Sequence, residues 1–147
     1  MAVVALLVAL AFGLYRAATD GRFRGTHRLP DLLPEPLAPV VQAPAATNLL
    51  DATPWADQLG AQATLLQFSS AFCAPCRATR RVLEDVVKDA PGIAHIEVDA
   101  ELHLDVVRRL GILRTPTTLI LDPSGRELGR AVGAPTKAQV LRSLPVG

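Results

Sequence analysis

The chain has two cysteines, Cys73 and Cys76, three residues apart with Pro75 between them. The residues before them, Ala63 to Ser69, form an apolar run that predicts a buried strand, and the residues after them predict a helix. A helix N-terminus carries partial positive charge, so a thiolate there is stabilised and its pKa falls below about 8.5. Because a helical turn brings the two sulfurs within bonding distance, the pattern predicts disulfide exchange, with Cys73 attacking and Cys76 resolving the mixed disulfide.

Two other uses of a cysteine pair with this spacing remain open at the level of the motif alone. Such a pair also begins zinc sites or forms an inert structural bridge. A zinc site needs two further ligands, and the three histidines, His27, His95 and His103, contain no pair with ligand spacing. The strand before the pair and the helix after it favour a redox role.

Composition narrows the function classes further. The chain has 147 residues, 50% of them hydrophobic and 20% charged, with a net charge of +1. This content supports one domain with a core and excludes wholesale disorder. The charge is too low for a general nucleic-acid binder, and 4% aromatic residues are too few for a base-stacking surface. We therefore expect no nucleic-acid partner.

The N-terminal residues 1–15 contain no charged side chain and predict a membrane anchor. As a helix, the apolar run from Ala2 to Leu14 covers about 22 Å, which is short of a bilayer core of about 30 Å. Arg16 extends this reach by snorkelling. A cleaved signal peptide and a core or interfacial helix are the alternatives. We expect a single-pass protein of the cell membrane.

Residues 16–46 predict a basic flank followed by a proline-rich linker. Four arginines and one acidic residue follow the apolar run, and this excess of positive charge predicts that the C-terminal side of the helix faces the cytoplasm. Five of the twelve prolines lie in 29–46, which predicts an extended spacer that holds a domain off the membrane. An ordered arm that packs on the domain is the alternative.

Residues 47–147 predict one domain in which strands and helices alternate. The predicted elements are a short helix in 48–60, strand 63–69, helix 74–90, strand 93–98, helix 102–110, strands 117–121 and 128–132, and helix 136–144. The first half alternates as in a parallel sheet, and the turn from Asp122 to Gly125 joins two antiparallel strands. The order predicts an α/β sandwich with a mixed central sheet.

Two stretches resemble the thioredoxin family. Residues 66–77 resemble its active-site region, and residues 111–121 resemble its second signature; the resemblance covers residues 60–144. The layout is similar to membrane-anchored thioredoxin-like proteins of bacteria, including relatives that reduce apo-cytochrome thiols. The resemblance implies a thioredoxin-like three-layer sandwich preceded by an N-terminal transmembrane helix. It also implies a thiol–disulfide oxidoreductase that has protein substrates, a partner reductase or oxidase, and no cofactor other than the Cys73–Cys76 disulfide.

The resemblance also implies roles for residues outside the cysteine pair. The Thr115–Pro116 peptide is expected to be cis, with the Thr115 backbone pairing with the substrate and Pro116 lying beside the sulfurs. Phe72 stands where the family usually has Trp, and serves as an aromatic contact for substrate. Gln67 stands where cytoplasmic thioredoxins carry a buried acid, so base assistance to the inner cysteine is absent at that position.

Some residues have two interpretations. His95 is either a packed strand residue with a satisfied hydrogen bond or a titrating group that substitutes for the missing acid. We interpret Trp55 as a packing residue, Asp99 as a helix cap, and Arg77 as near enough to affect the thiolate; Arg114 is a candidate substrate contact. The alternative function is a non-catalytic thioredoxin-like module for redox sensing or metal transfer.

Overall fold

The computed structural model describes residues 2–19, 23–25 and 48–145. Within 48–145, strands and helices follow the predicted order of strand, helix, strand, helix, two strands and helix. In chain order the elements are α1 (Ala2–Thr19), β1 (Phe23–Gly25), β2 (Ala63–Ser69), α2 (Ala74–Asp89), β3 (Ile93–Asp99), α3 (Leu104–Arg109), β4 (Thr117–Leu121), β5 (Glu127–Val132) and α4 (Lys137–Ser143).

The strands form one mixed sheet in the order β1-β5-β4-β2-β3. β2 and β3 are parallel, because α2 returns the chain between them, whereas β4 runs antiparallel to both β2 and β5. Consequently β2 and β5 end, and β4 begins, at the same end of the sheet. We call this the upper end; Ser69, Thr117 and Val132 mark it.

Helices and turns cover both faces of the sheet, because alternate strand residues point to opposite faces. The core beneath α2 and α4 comprises Ala63, Leu65, Leu83, Val86, Ile93, Ile120 and Val140. The core on the other face, beneath α3 and residues 48–60, comprises Leu50, Leu66, Phe68, Ile96, Val98, Val106, Leu110, Ile112, Leu119 and Leu121. The predicted α/β sandwich with a mixed sheet is confirmed.

The predicted helix in 48–60 is wrong, because this segment is a series of turns. Its backbone hydrogen bonds span three residues, as from Ala56 N to Thr53 O, and not the four of an α-helix. Ala52 has a φ of 58°, in the left-handed region, which interrupts any helical path. Trp55 packs on the core beneath α3 and contacts His103 edge to face, as expected of a packing residue.

The helix predicted over 102–110 is shorter in the structure, where α3 covers Leu104–Arg109, and Leu102, which has the helical spacing of a core residue, lies before the helix and is 77% exposed. The Asp99 carboxylate accepts the N–H of Glu101 at 2.8 Å and holds a turn before α3 begins. Asp99 therefore stabilises this turn and does not cap α3, whose N-cap residue is His103.

The N-terminal region differs from the prediction in two ways. First, none of the helices in residues 2–19 and 48–145 has the length and apolar character needed to cross a bilayer, so the predicted transmembrane helix has no support here. Second, Phe23–Gly25, in the predicted basic flank, forms an edge strand antiparallel to β5 that also contacts α4. The proline-rich segment 29–46 lies outside the described residues.

Candidate active site

Cys73 and Cys76 lie at the start of α2, directly above the upper end of the sheet, and their sulfurs are bonded to each other. Their Cα atoms are 5.2 Å apart, within the usual range for a disulfide. The prediction that the three-residue spacing brings the sulfurs within bonding distance is confirmed.

Cys73 is the N-cap residue of α2. Its Sγ accepts a hydrogen bond from the Cys76 N–H at 3.1 Å, so the sulfur occupies the position that a capping oxygen takes in other helices. The first turn of α2 carries no acidic side chain. The partial positive charge of the helix N-terminus is therefore not neutralised there, which favours a thiolate at Cys73 once the bond is reduced.

The two sulfurs differ in access. Cys73 is partly exposed, whereas Cys76 is 2% exposed and faces the sheet. Cys73 is therefore the more accessible of the two sulfurs to a protein partner.

Gln67 lies fully buried beneath Cys76. Its Nε2 donates to the Cys76 carbonyl at 3.0 Å and to the Ser69 Oγ at 2.8 Å. Its Oε1 lies 3.1 Å from His95 Nε2, and since an amide oxygen only accepts, His95 carries its proton on Nε2. The amide thus connects the first turn of α2 to β2 and β3.

His95 is a packed strand residue with a satisfied hydrogen bond, the simpler of its two interpretations. Burial lowers the pKa of His95, against the opposing charges of Glu97 and Glu84. The ring is therefore neutral at neutral pH.

Glu97 is a charged neighbour of the site that the sequence analysis missed. It stands directly opposite Gln67 in the β2–β3 ladder, and its carboxylate pairs with Arg80 of α2 at 2.6 Å. Burial by itself raises the pKa of Glu97, but hydrogen bonds from Arg80 and Ser69 outweigh it and hold the pKa below its ordinary value. Glu97 lies beside Gln67 because of the register between β2 and β3, and no local sequence motif predicts that register.

A cavity of about 400 Å³ opens beside the inner cysteine. It is lined by Ser69, Ser70, Ala71, Cys76, Arg77, Arg80, Glu97 and Asp99. Most of these walls are polar, and the volume is large enough to admit several water molecules. Arg77 lies in this wall, which agrees with its expected place near the cysteines.

The Thr115–Pro116 peptide is cis, as the resemblance implies. Two hydrogen bonds hold this loop at the upper end of the sheet. The Thr115 Oγ1 lies 3.2 Å from the Ser70 Oγ, three residues before Cys73, and the Pro116 carbonyl accepts the Gly133 N–H at 2.8 Å. Pro116 is buried and Thr115 is half-buried. The structure therefore brings the two predicted motifs together.

Two apolar side chains project into solvent close to these loops. Phe72, next to Cys73, is 98% exposed, and Leu113, two residues before Thr115, is 96% exposed. Arg114, which lies between Leu113 and Thr115, is also exposed. Exposed apolar groups on both sides of a reactive disulfide form a surface suited to a protein partner.

The described parts of the chain contain no group of three or more His, Cys, Asp or Glu residues arranged to hold a metal ion. His95 and His103 are engaged with Gln67 and Trp55 respectively. His27 lies outside the described residues.

Comparison with known proteins identifies the family. The family model described as Thioredoxin matches residues 46–145, which is more than half of the chain. A thioredoxin of Mycolicibacterium smegmatis is 34% identical over 92 residues, covering 60% of this chain and 81% of its own. A thioredoxin of Chlamydia muridarum is 27% identical over 88 residues, covering 60% and 85%. A bifunctional thioredoxin reductase/thioredoxin of Mycobacterium leprae is 29% identical over 99 residues, covering 66% and 21%.

Solved structures agree on the fold. The thioredoxin of Fasciola hepatica superposes with a TM-score of 0.52 at 20% identity, over 59% of this chain and 82% of that one. The oxidised mitochondrial thioredoxin 3 of Saccharomyces cerevisiae gives 0.51 at 17% identity, over 56% and 76%. The match to the family model and the similarity to curated thioredoxins, together with a bonded cysteine pair at a helix N-terminus, show that the chain belongs to the thioredoxin family and is a thiol–disulfide oxidoreductase.

Proposed function

We propose that this chain exchanges disulfides with protein substrates through Cys73 and Cys76. In the reduced chain, the Cys73 thiolate attacks a substrate disulfide, forms a mixed disulfide and releases one substrate thiol. The Cys76 thiolate then attacks the Cys73 sulfur, which restores the internal disulfide and releases the second substrate thiol. Overall the substrate gains two electrons and two protons, and the cysteine pair loses them.

The unequal exposure of the two sulfurs carries this proposal. Cys73 is partly exposed at the positive end of α2, and Cys76 is buried on the side of the helix that faces the sheet. An exposed sulfur that is stabilised as a thiolate attacks partners, whereas a buried sulfur at bonding distance reacts only with its neighbour.

We assign substrate contact to Thr115, Pro116 and Phe72. The hydrogen bond between Ser70 and Thr115 holds the Thr115 backbone beside the cysteine loop, where an extended substrate segment can pair with it. Phe72 offers an exposed ring next to the attacking sulfur. Pro116 has no N–H, so it adds no hydrogen-bond donor that competes for the sulfurs.

The pair must be re-reduced after each turnover. We propose a partner disulfide reductase as the electron donor, since the relative from Mycobacterium leprae combines a thioredoxin reductase and a thioredoxin in one protein. With an oxidase as partner, the same steps run in reverse.

Insulin reduction with dithiothreitol as electron donor tests this function. We expect turnover in the unmodified chain and only background rates with Cys73→Ser. Cys76→Ser retains the attacking thiol but not the resolving one, so the pre-reduced variant, mixed with insulin after dithiothreitol has been removed, should accumulate a covalent mixed disulfide that added dithiothreitol releases. Turnover by Cys73→Ser above background contradicts the assignment of roles.

We further propose that α1 associates the chain with a membrane and that the domain faces the cytoplasm. Large apolar side chains exposed on α1 support the association; they are Val4, Leu7, Val8, Leu10, Phe12, Leu14 and Tyr15. The arginines that follow α1 support the orientation. A topology reporter fused after Gly147 tests the orientation, and a cytoplasmic signal is expected; an exported signal contradicts it.

A further inference from the structure

The N-terminal arm joins the sheet at the level of the active site. In β1, Phe23 lies opposite Ala131 of β5, Ala131 lies opposite Thr118 of β4, and Thr118 lies opposite Gln67 of β2. These residues form one row across the sheet. Since neighbouring strands are about 4.8 Å apart, Phe23 lies about 14 Å from Gln67, the residue beneath Cys76.

The direction of β1 determines where α1 is held. β1 runs antiparallel to β5, so Phe23 is the residue of β1 nearest the upper end of the sheet. β5 ends at Val132, and the next residue, Gly133, donates its N–H to the Pro116 carbonyl. The N-terminal end of β1 therefore lies toward the disulfide, and its C-terminal end lies toward the opposite end of the sheet.

The connection between α1 and β1 is short. α1 ends at Thr19, four positions before Phe23, and four extended residues span at most about 14 Å. The proline-rich segment 29–46 follows β1 in the chain, so it does not separate α1 from the sheet while β1 is paired. The spacer role predicted from its composition requires that β1 be released.

We propose that the pairing of β1 with β5 holds the disulfide close to the membrane on which α1 lies, so that the preferred substrates are disulfides of membrane-bound proteins near the bilayer surface. This inference rests on the proposed disulfide exchange and membrane association. Lipid is the occupant of the α1 surface because the large exposed apolar side chains cover more than half of the helix circumference and residues 1–15 carry no charged side chain.

Tether length gives the expected size of the effect. With β1 paired, residues 20–22 connect α1 to the sheet; with β1 released, residues 20–47 connect α1 to the domain. Effective concentration falls as about the −3/2 power of tether length, so lengthening the tether from residues 20–22 to residues 20–47 lowers the rate on a substrate at the bilayer surface by about thirtyfold. The rate on a soluble substrate does not depend on the tether.

The experiment uses the full chain in vesicles of phosphatidylcholine and phosphatidylglycerol. The probe is a disulfide-bonded fluorogenic peptide, supplied either free or attached to a lipid headgroup without a spacer. A Phe23→Pro/Arg24→Pro double variant removes two of the three N–H groups that are candidates for the β1–β5 ladder, including at least one that pairs in either hydrogen-bonding pattern. The matched control, His27→Pro/Arg28→Pro, makes two proline substitutions beyond β1.

We expect the unmodified chain to float with the vesicles and to reduce the lipid-attached peptide faster than the free one. The β1 variant should lose about thirtyfold in rate on the lipid-attached peptide and nothing on the free peptide, whereas the control variant should match the unmodified chain. The inference is overturned if the unmodified chain reduces insulin but fails to float with the vesicles, or reduces both peptides at equal rates. It is also overturned if the β1 variant loses no rate on the lipid-attached peptide. If the unmodified chain does not reduce insulin, the proposed disulfide exchange itself is wrong.

Discussion

The surroundings of the two cysteines differ, although only Ala74 and Pro75 separate them in the chain. Around Cys73 the surface is open and apolar, with Phe72 fully exposed beside it. Around Cys76 the surroundings are closed and polar, and the amide of Gln67 holds the helix carbonyl from below. The difference shows how one helical turn provides both functions of the exchange, because its outer side meets the partner and its inner side meets a rigid network.

The comparison is tested most strongly by thiol labelling of the reduced chain. With iodoacetamide at neutral pH, Cys73 should be alkylated about tenfold or more faster than Cys76, because it is exposed and lies at the positive end of α2. Peptide mass spectrometry after short labelling times measures both rates. Unfolding in denaturant is the control and should bring the rates together; similar rates in the folded chain contradict the proposed roles.

The closed side of the site is tested by Gln67→Leu. This change keeps a similar volume but leaves the Cys76 carbonyl and the His95 ring without their buried partner, so unfolding free energy should fall by about 1–3 kcal/mol. Gln58→Leu makes the same change at an exposed position and should stay within about 0.5 kcal/mol. Chemical denaturation measures both variants. Equal effects of the two changes contradict a structural role for the buried amide.

The open side is tested by Phe72→Ala. Because the ring is 98% exposed, stability should change by no more than about 0.5 kcal/mol. Loss of a partner contact should raise KM for a protein disulfide by about fivefold, which corresponds to about 1 kcal/mol, with kcat nearly unchanged. Leu141→Ala, on α4, is the control for loss of an exposed apolar side chain away from the site. An unchanged KM removes Phe72 from the substrate surface.

The smallest expected effect is the acid sensitivity of the closed side. Burial lowers the pKa of His95 in the folded chain below its ordinary value of 6.5. The unfolded state therefore binds more protons below that pH, and the stabilisation is present above pH 6.5 and is lost as pH falls toward the folded pKa. Hydrogen bonds from Arg80 and Ser69 outweigh burial and lower the pKa of Glu97, so Glu97 contributes a second loss of stability below its ordinary value of 4.5.

His95→Gln should remove the first of these two losses and keep the second. Unfolding free energies measured between pH 7.5 and 5 separate the two residues, because Glu97 remains ionised over that range. A variant with the same pH slope as the unmodified chain shows that His95 is not the group responsible.

Much of the fold was predictable because its signals are local. The apolar run of β2, the amphipathic pattern of α2 and the turn from Asp122 to Gly125 lie within a few residues of the structures they form. Two predictions failed although the local sequence pattern supported them. Thr53 and Pro54 have the residue types of a helix start, yet the segment folds as turns, and Leu102 has the spacing of a core residue but precedes the helix.

The sequence by itself determined the reacting pair, since the chemistry follows from two sulfurs three residues apart between a strand and a helix. It also determined the alternation of apolar residues that builds the sheet and its helices. Only the tertiary structure decided which residues surround the inner sulfur and where the N-terminal arm attaches. Gln67, His95 and Glu97 meet through the register of β2 and β3, and Phe23 meets β5 across more than a hundred residues. Such contacts depend on strand pairing between distant segments, which a local pattern does not encode.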